Sequence, residues 1–156
     1  MPNCEICPII EHPTEADLPL RIHEDEFWQT TLRTDQEYLG SAYITAKRHV
    51  ESLPELTAQE ELSFIEARNQ LIVAQQRAFG AAVVNVSCLM NLAFTPEGEG
   101  DPHVHYHLKP RYPYPVEAFG QVFIDRQFGK YITDKHPHEV SLETGFSIAE
   151  ALRKHM

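Results

Sequence analysis

The segment 102–112 reads Pro-His-Val-His-Tyr-His-Leu-Lys-Pro-Arg-Tyr, and it determines how the rest of the chain is interpreted. Its histidines are His103, His105 and His107, and one apolar residue follows each of them. Successive side chains of a β-strand point to opposite faces of a sheet. This spacing therefore predicts a strand with the imidazoles on one face and the apolar side chains in a core.

Two cations continue the alternation beyond the last histidine, because Lys109 and Arg111 fall in the same register. A strand face with imidazoles and cations suits an anionic ligand, and phosphate is the obvious candidate. A half-buried strand also needs polar residues on its solvent side, and imidazole is a common ligand of zinc, copper, iron and nickel. The pattern by itself therefore leaves a solvent-facing strand, a metal site and a phosphate site as alternatives.

The length and composition are typical of one globular domain. The chain has 156 residues, of which 42% are hydrophobic, which is enough for a core without disulfide bonds. We expect a single domain over 1–156, with an irregular segment at 1–20 and a C-terminal extension at 113–156. No stretch reaches the length needed to span a bilayer, and the N-terminus lacks the features of a signal peptide. These features predict a cytoplasmic protein that does not associate with membranes.

The formal net charge of −10 argues against binding to nucleic-acid polymers or anionic membranes, since both need clustered Lys and Arg. A nucleotide in a local pocket remains compatible with this charge. Lys47, Arg48, Lys109 and Arg111 are the cations that can make such a pocket positive. We therefore expect a small anionic ligand rather than a polymer.

The remaining patterns predict an α+β fold. Strand-like runs occupy about 26–32, 40–46, 82–91 and 121–124. A capping box at Thr57–Glu60 begins a long helix that Gly80 ends, and a last helix covers about 142–154. The predicted buried face of the long helix consists of apolar residues at helical spacing: Leu62, Ile65, Ile72 and Phe79. The expected fold is an antiparallel sheet of about five strands, with the long helix and the C-terminal helix packed against it.

Cys4 and Cys7 form a Cys-x-x-Cys pair close to the N-terminus. In a reducing compartment such a pair more often binds a metal than forms a disulfide. It supplies two of the four ligands that a structural zinc site needs. Free thiols and a redox pair remain alternatives, although no thioredoxin-like βαβ pattern surrounds the two cysteines.

The segment 102–112 resembles the signature of the histidine triad (HIT) family. That signature is His-h-His-h-His-h-h, where h is apolar, and Pro-Arg-Tyr often follows; Lys109 departs from it at the last apolar position. Gly40–Val50 is similar to the family's upstream Gly-His-h-h-h-x-Pro-Lys-x-His-h segment, with Ser41 in place of its first histidine. The stretch from Phe123 to Tyr131 looks like the tail of a branch similar to diadenosine polyphosphate hydrolases.

The resemblance implies a HIT-like fold, usually as a homodimer, in an enzyme that hydrolyses or transfers nucleotides at the α-phosphate. The expected substrate is a nucleotide such as a diadenosine polyphosphate, and no organic cofactor is expected. The middle histidine, His105, would be the nucleophile that forms a nucleotidyl intermediate. The predicted site residues are His103, His105 and His107 for catalysis and Ser41, Asn91, Lys109 and Arg111 for substrate binding.

The resemblance also implies the missing metal ligands. Some branches of the family complete a zinc site with the histidine of the upstream Lys-x-His segment and the first histidine of the triad. These correspond to His49 and His103, so the expected structural zinc site consists of Cys4, Cys7, His49 and His103.

Three other functions stay open on the sequence. One is hydrolysis of nucleoside phosphoramidates. Another is a nucleotide-binding module with little catalysis, which Ser41 and the acidic connection before the triad favour. The third is a metalloenzyme in which His103, His105 and His107 hold a catalytic metal. Substitution of Cys4 releases the metal in the structural-zinc hypothesis, whereas substitution of His105 and His107 releases it in the third.

Overall fold

A computed structural model describes residues 4–156, so the first three residues of the predicted irregular segment lie outside the described residues. Single turns of 3-10 helix occur at Leu18–Leu20, Leu53–Glu55 and Asn91–Ala93. The longer elements, in chain order, are α1 (Cys7–Glu11), β1 (Arg21–Glu24), β2 (Trp28–Leu32), β3 (Ala42–Ala46), α2 (Ala58–Phe79), β4 (Val83–Cys88), β5 (His105–Arg111), β6 (Val116–Ala118), β7 (Gln121–Phe123) and α3 (Leu142–Arg153).

The five strands β1 to β5 form one antiparallel sheet in the order β1-β2-β3-β5-β4. The histidine strand β5 therefore lies between β3 and β4, and hydrogen bonds hold both of its sides. β6 and β7 form a separate hairpin. The expected architecture, an antiparallel sheet of about five strands with a long helix and a C-terminal helix, is confirmed. The sequence patterns missed β1 and the short helix α1, which lies inside the segment expected to be irregular.

The long helix α2 begins and ends where its capping residues predict. The Thr57 hydroxyl accepts a hydrogen bond from the Glu60 N–H, and the Glu60 carboxylate accepts one from the Thr57 N–H. Gly80 ends the helix in the left-handed conformation, with φ of 75°. The predicted buried face was partly wrong, because Leu62 is 63% exposed and Ile65 is 41% exposed.

The buried face of α2 consists instead of Phe64, Ala67, Leu71 and Ala74. The small alanines let the helix approach the sheet closely, and the aromatic ring of Phe64 stacks on Tyr106 of β5 at a centroid distance of 3.8 Å. Leu62 and Ile65, which the pattern favoured as buried, lie on the exposed side of the helix. Periodicity showed that a helix forms but not which side meets the sheet.

Packing on this rear face fixes the position of the histidine strand. Val104 and Leu108 are fully buried in the core, as their alternation with the histidines predicts. The indole N–H of Trp28 on β2 donates to the Glu60 carbonyl at 2.8 Å and ties the sheet to α2. The front face of β5, which carries the histidines, is thereby turned away from the helix.

The C-terminal part of the chain crosses back to the other end of the sheet. Before α3 begins at its Ser141 cap, the segment 136–140 runs along residues 34–37. The Gln36 N–H donates to the His138 carbonyl at 2.9 Å, and the Val140 N–H donates to the Thr34 carbonyl at 3.2 Å. Among residues 4–156, no helix has the length and apolar character needed to cross a membrane.

Candidate active site and metal site

A cavity of about 460 Å³ opens on the front face of the sheet, over the histidine strand. His105, His107 and Lys109 reach it from β5, because they alternate with the core residues of that strand. In the β3–β5 register Tyr43 lies opposite His107, so its ring meets the imidazole edge-on at a centroid distance of 4.9 Å. Ser87 of β4 lies opposite His107 on the other side. The sheet register thus gives the site a fixed floor.

His105 is held in one tautomer. Its Nδ1 lies 2.8 Å from the backbone carbonyl of His103. A carbonyl oxygen only accepts, so Nδ1 carries the proton and Nε2 keeps its lone pair. In the neutral imidazole, Nε2 is therefore the nitrogen that can act as a nucleophile or base.

Among residues 4–156, neither ring nitrogen of His107 has a hydrogen-bond partner. Both nitrogens are buried, and neither makes a well-formed hydrogen bond, although the backbone of Leu89 approaches the ring. Burial, reinforced by the neighbouring His105, Lys109 and Arg33, lowers the pKa of His107 to about 4. His107, which lines the cavity, is therefore a neutral imidazole at physiological pH.

Cys4, Cys7, His49 and His103 meet beside this cavity, and their ligand atoms all lie within 4.8 Å of one another. Cys7 Sγ lies 3.3 Å from His49 Nδ1 and 3.5 Å from His103 Nδ1, and Cys4 Sγ lies 3.5 Å from His103 Nδ1. Tetrahedral zinc bonds to sulfur and nitrogen place such ligand atoms about 3.6 Å apart. The four residues predicted from the sequence therefore come together as a candidate metal site with fitting dimensions.

The outer nitrogens of both histidines also face acceptors. His103 Nε2 lies 2.7 Å from the Ala46 carbonyl, and His49 Nε2 lies 3.0 Å from the Asp101 carboxylate, in a close contact without ideal hydrogen-bond alignment. Such partners direct Nδ1 inward, as in metal-binding histidines generally. Burial and the adjacent Cys4 thiol raise the pKa of Cys7 to about 11. Without a cation Cys7 is a protonated thiol, and a bound metal would favour its thiolate.

The predicted substrate-binding residues separate into two groups. Asn91 and Lys109 line the cavity with the histidines. Ser41 lies elsewhere: its hydroxyl is buried and donates to the Tyr38 carbonyl at 2.7 Å. Arg111 is also absent from the cavity lining, because its guanidinium is buried and donates to both oxygens of Asp125, at 2.6 and 2.9 Å. Of the predicted substrate-binding residues, the structure thus brings only Asn91 and Lys109 together with the histidines that the sequence predicts to be catalytic.

Two cations of the cavity have no counterpart in the sequence reasoning. Arg33 follows β2 and lies over the Tyr43 ring, 5.4 Å from its centroid. Lys135 comes from the C-terminal segment. The alternation of β2 places Arg33 on the front face, but nothing in the sequence says that β2 lies beside β3. Lys135 belongs to no motif or periodic element, so no sequence signal could have identified it.

A second cavity, of about 540 Å³, continues from the first and shares Tyr43, His105 and Arg33 with it. Ile9 and Ile10 of α1 form its apolar wall, together with Ile6 just before the helix. The site therefore has an apolar lobe on one side of His105 and a cationic lobe on the other. The sequence reasoning missed the three isoleucines, because it treated their segment as irregular.

Comparison with known proteins identifies the architecture. No family model matches the sequence, and no curated protein matches it. A hypothetical histidine triad nucleotide-binding protein from Sulfolobus tokodaii matches with a TM-score of 0.71 at 18% identity, over 97% of this chain and 91% of that one. A zinc-bound histidine triad family protein from Mycobacterium smegmatis matches with a TM-score of 0.61 at 17% identity, over 97% and 94% of the two chains.

Diadenosine triphosphate hydrolase from Plasmodium falciparum matches with a TM-score of 0.60 at 13% identity, over 88% of this chain and 76% of that one. Likeness at this level of identity establishes a shared fold. The segment that resembles the family signature leads into and forms the interior strand β5 of the sheet, between β3 and β4. The chain therefore has the HIT-like fold, and the solved structures that it resembles are histidine triad proteins.

Proposed function

We propose that this protein is a nucleotide hydrolase or nucleotidyl transferase that acts at an α-phosphate through His105. The observation that carries the proposal is the hydrogen bond from His105 Nδ1 to the His103 carbonyl, which leaves Nε2 free in the cavity. The structural likeness to a diadenosine triphosphate hydrolase and to a nucleotide-binding protein supports this class of substrate. A diadenosine polyphosphate is the substrate that we propose.

In the first step the lone pair of His105 Nε2 attacks the α-phosphorus while the bond to the leaving-group oxygen breaks. The leaving group departs with that electron pair, and the nucleotide stays on His105. The proton on Nδ1 remains hydrogen-bonded to the His103 carbonyl and stabilises the charge that develops on the ring. In the second step water, or another acceptor, attacks the phosphorus, releases a proton and frees Nε2.

His107 would contact the phosphoryl oxygens or the leaving group, because it lines the cavity and its ring nitrogens have no hydrogen-bond partner among residues 4–156. His103 would act through its backbone carbonyl as a positioning residue for His105. The apolar lobe lined by Ile9 and Ile10 is suited to a nucleoside, since an aromatic base is planar and largely apolar on its faces. In this proposal the α-phosphate would lie beside His105, between the two lobes.

We also propose that the metal site holds zinc with a structural role. Two thiolates and two imidazoles in a tetrahedral arrangement are typical of closed zinc sites, and a structural relative is zinc-bound. Zinc would join the N-terminal segment, through Cys4 and Cys7, to the sheet region that carries His49 and His103. The unbridged thiols of Cys4 and Cys7 suit a reducing compartment such as the cytoplasm.

A second copy of the chain is the partner that we propose for the free side of the sheet. β4 is an edge strand, and Val83 and Val86 on it are 48% and 37% exposed. Leu62 and Ile65 add exposed apolar surface on α2. An apolar, unpaired edge favours self-association. Sedimentation velocity should show a dimer, which Val86→Lys shifts toward monomer.

The catalytic proposal is tested by nucleotide release from diadenosine tetraphosphate, resolved by chromatography. Wild-type protein should release nucleotide, and His105→Ala should lower the rate by at least about 10³-fold, since it removes the nucleophile. His155→Ala is the matched control, because His155 is exposed near the C-terminus and away from the cavity. Intact mass spectrometry after rapid acid quenching should detect the nucleotide on wild-type protein only.

The other outcomes identify the alternatives. Turnover of an adenosine phosphoramidate without turnover of the dinucleotide would favour a phosphoramidate hydrolase. Nucleotide binding without any turnover would favour a binding module. Equal release by wild type and His105→Ala would show that His105 is not the nucleophile.

A further inference from the structure

The cationic lobe of the cavity is distinct in chemistry from the apolar lobe. Lys109 projects into it two positions beyond His107 on β5, about 7 Å further along the strand. Arg33 and Lys135 line the same lobe from two other parts of the chain. Lys109 and Lys135 line this cavity alone, Ile9 and Ile10 line the other alone, and Arg33 and Ile6 line both.

We propose that Arg33, Lys109 and Lys135 form a subsite for the polyphosphate chain that leaves when the bond at the α-phosphate breaks. This inference rests on the proposed function, and it specifies the substrate class as nucleotides with an anionic leaving group. The phosphate chain would extend from His105 past His107 into the cationic lobe. A phosphoramidate, whose leaving group is an amine, would gain nothing from this lobe.

Lys109 departs from the signature that the segment resembles, which has an apolar residue at this position. Here a partly buried lysine occupies it, and no carboxylate among residues 4–156 lies within ion-pair distance of its ammonium group. Burial and the charges of Arg33 and Lys135 lower the pKa of Lys109. A partly desolvated cation with like charges around it is stabilised by a polyanion.

Lys135 is held at the cavity by its own segment. The His136 N–H donates to the Glu37 carboxylate, and the His138 N–H donates to Asp35, both at 3.0 Å. Together with the backbone bonds to residues 34–37, these contacts hold the base of Lys135 while its exposed side chain reaches the lobe.

Two carboxylates face the same cluster and must be weighed against it. Asp35 and Glu37 both raise the pKa of Lys109, but the net direction is downward. Asp35 also accepts the Glu37 N–H at 3.0 Å, and its other oxygen lies 3.4 Å from the Arg33 guanidinium. Asp35 therefore pairs with Arg33, whereas Lys109 and Lys135 have no ion-pair partner among residues 4–156. Glu5 and Asp101 also line the cavity, and Asp101 lies against His49 Nε2. The lobe thus retains donors for phosphate oxygens.

The test measures kcat/KM for diadenosine tetraphosphate and for adenosine 5′-phosphoramidate in the zinc-loaded protein. The ratio of the two values should fall about tenfold or more in Lys109→Gln and in Lys135→Gln, because each loses a charge-assisted contact to one substrate only. Lys130→Gln is the matched control, since Lys130 lies on the same C-terminal segment but outside this cavity. Lys135 is exposed, so its variant folds even if Lys109→Gln does not.

A ratio unchanged in Lys135→Gln, or equal losses on both substrates, would overturn the subsite. Calorimetric titration with inorganic tripolyphosphate separates this failure from failure of the proposed function. If wild type turns over neither nucleotide, the catalytic proposal fails and the titration alone decides the subsite. About tenfold weaker tripolyphosphate binding in Lys135→Gln, but not in Lys130→Gln, would sustain it. No binding, or equal binding in all proteins, would refute it.

Discussion

The two ends of the histidine segment are fixed in different ways, although the sequence places them on one alternating face. At the first end, the His103 ring joins two thiols and His49 in a cluster whose dimensions fit a metal ion. At the other end, Arg111 pairs with the fully buried Asp125 carboxylate. One end therefore has the ligands and dimensions of a metal site, while the other is an ion pair complete within the chain.

The centre of the strand differs from both ends. His105 Nδ1 donates a hydrogen bond to a backbone carbonyl, whereas neither ring nitrogen of His107 has a hydrogen-bond partner among residues 4–156. The ends of the segment thus use up their polar groups in structure, and the centre leaves polar groups available for chemistry. Residues that alternate on one strand face therefore differ in role according to whether neighbouring groups already provide their hydrogen-bond or ion-pair partners.

Removal of the metal should have the largest effect on stability. Cys4→Ser should release a stoichiometric zinc ion and lower the free energy of unfolding by about 5 kcal/mol or more, because metal binding contributes directly to folding. Zinc content is measured by mass spectrometry of the purified protein and stability by urea titration. Cys88→Ser is the control, since Cys88 lies on β4 outside the cluster.

The same zinc measurement can also show that the metal does not lie at the first end of the segment. Retention of zinc in Cys4→Ser, with loss in His105→Ala and His107→Ala, would move the metal to the centre of the strand. The alternative of a catalytic metal held by the triad would then replace the structural one.

Loss of the Arg111–Asp125 ion pair should lower the free energy of unfolding by less than loss of the metal, and it should leave the zinc content unchanged. Asp125→Asn leaves the Arg111 guanidinium buried beside a neutral amide and should lower stability by about 3–5 kcal/mol. The urea midpoint and the zinc content check both parts. Asp134→Asn is the control, because Asp134 is exposed and accepts only from the Thr133 hydroxyl.

A paired replacement asks whether Arg111 also serves the substrate. Arg111→Met combined with Asp125→Asn removes the buried charge but keeps an amide oxygen for the Tyr112 and Gln127 N–H groups, so it should be less destabilising than Asp125→Asn alone. If Arg111 is structural, the pair leaves the KM for diadenosine tetraphosphate near the wild-type value. A large rise in KM in a stable double variant would return Arg111 to the substrate-binding residues that its register predicts.

The sequence anticipated whatever depends on local periodicity. Alternation predicted that His105 and His107 share a face over a buried Val104 and Leu108, and the capping box predicted where α2 begins. Resemblance to the HIT family joined Cys4 and Cys7 to His49 and His103, although 42 residues separate Cys7 from His49. Each of these features is carried by a short stretch of neighbouring residues, so it can be recognised in a single sequence.

Features that depend on contacts between distant segments escaped prediction. The partner of Arg111 is Asp125, which stands in an irregular stretch with no periodic signal. Lys135 reaches the cavity only because segment 136–140 runs along residues 34–37. The side of α2 that meets the sheet is chosen by Ala67 and Ala74, whose small side chains carry little hydrophobic signal. Packing geometry, rather than composition, decides each of these.

The smallest expected effect distinguishes the centre of the strand from its ends by pH. The pKa of His107 is about 4 in the folded protein and 6.5 for the ordinary side chain. Between these values the unfolded chain binds a proton that the folded protein does not, so stability falls as the pH drops from 6.5 toward 4. The loss from this residue should reach at most about 3 kcal/mol, since partial exposure reduces the effect.

His107→Gln removes the titrating group but keeps a polar side chain, so its stability should fall less steeply over this range. Urea titrations at several pH values between 7 and 4.5 compare the slopes, and His155→Gln should follow wild type because His155 is exposed. Any proton uptake at the metal site enters both proteins alike, so the difference in slope isolates His107. Equal slopes would mean that His107 already has a partner when protonated. The centre of the strand would then be satisfied internally, as its ends are.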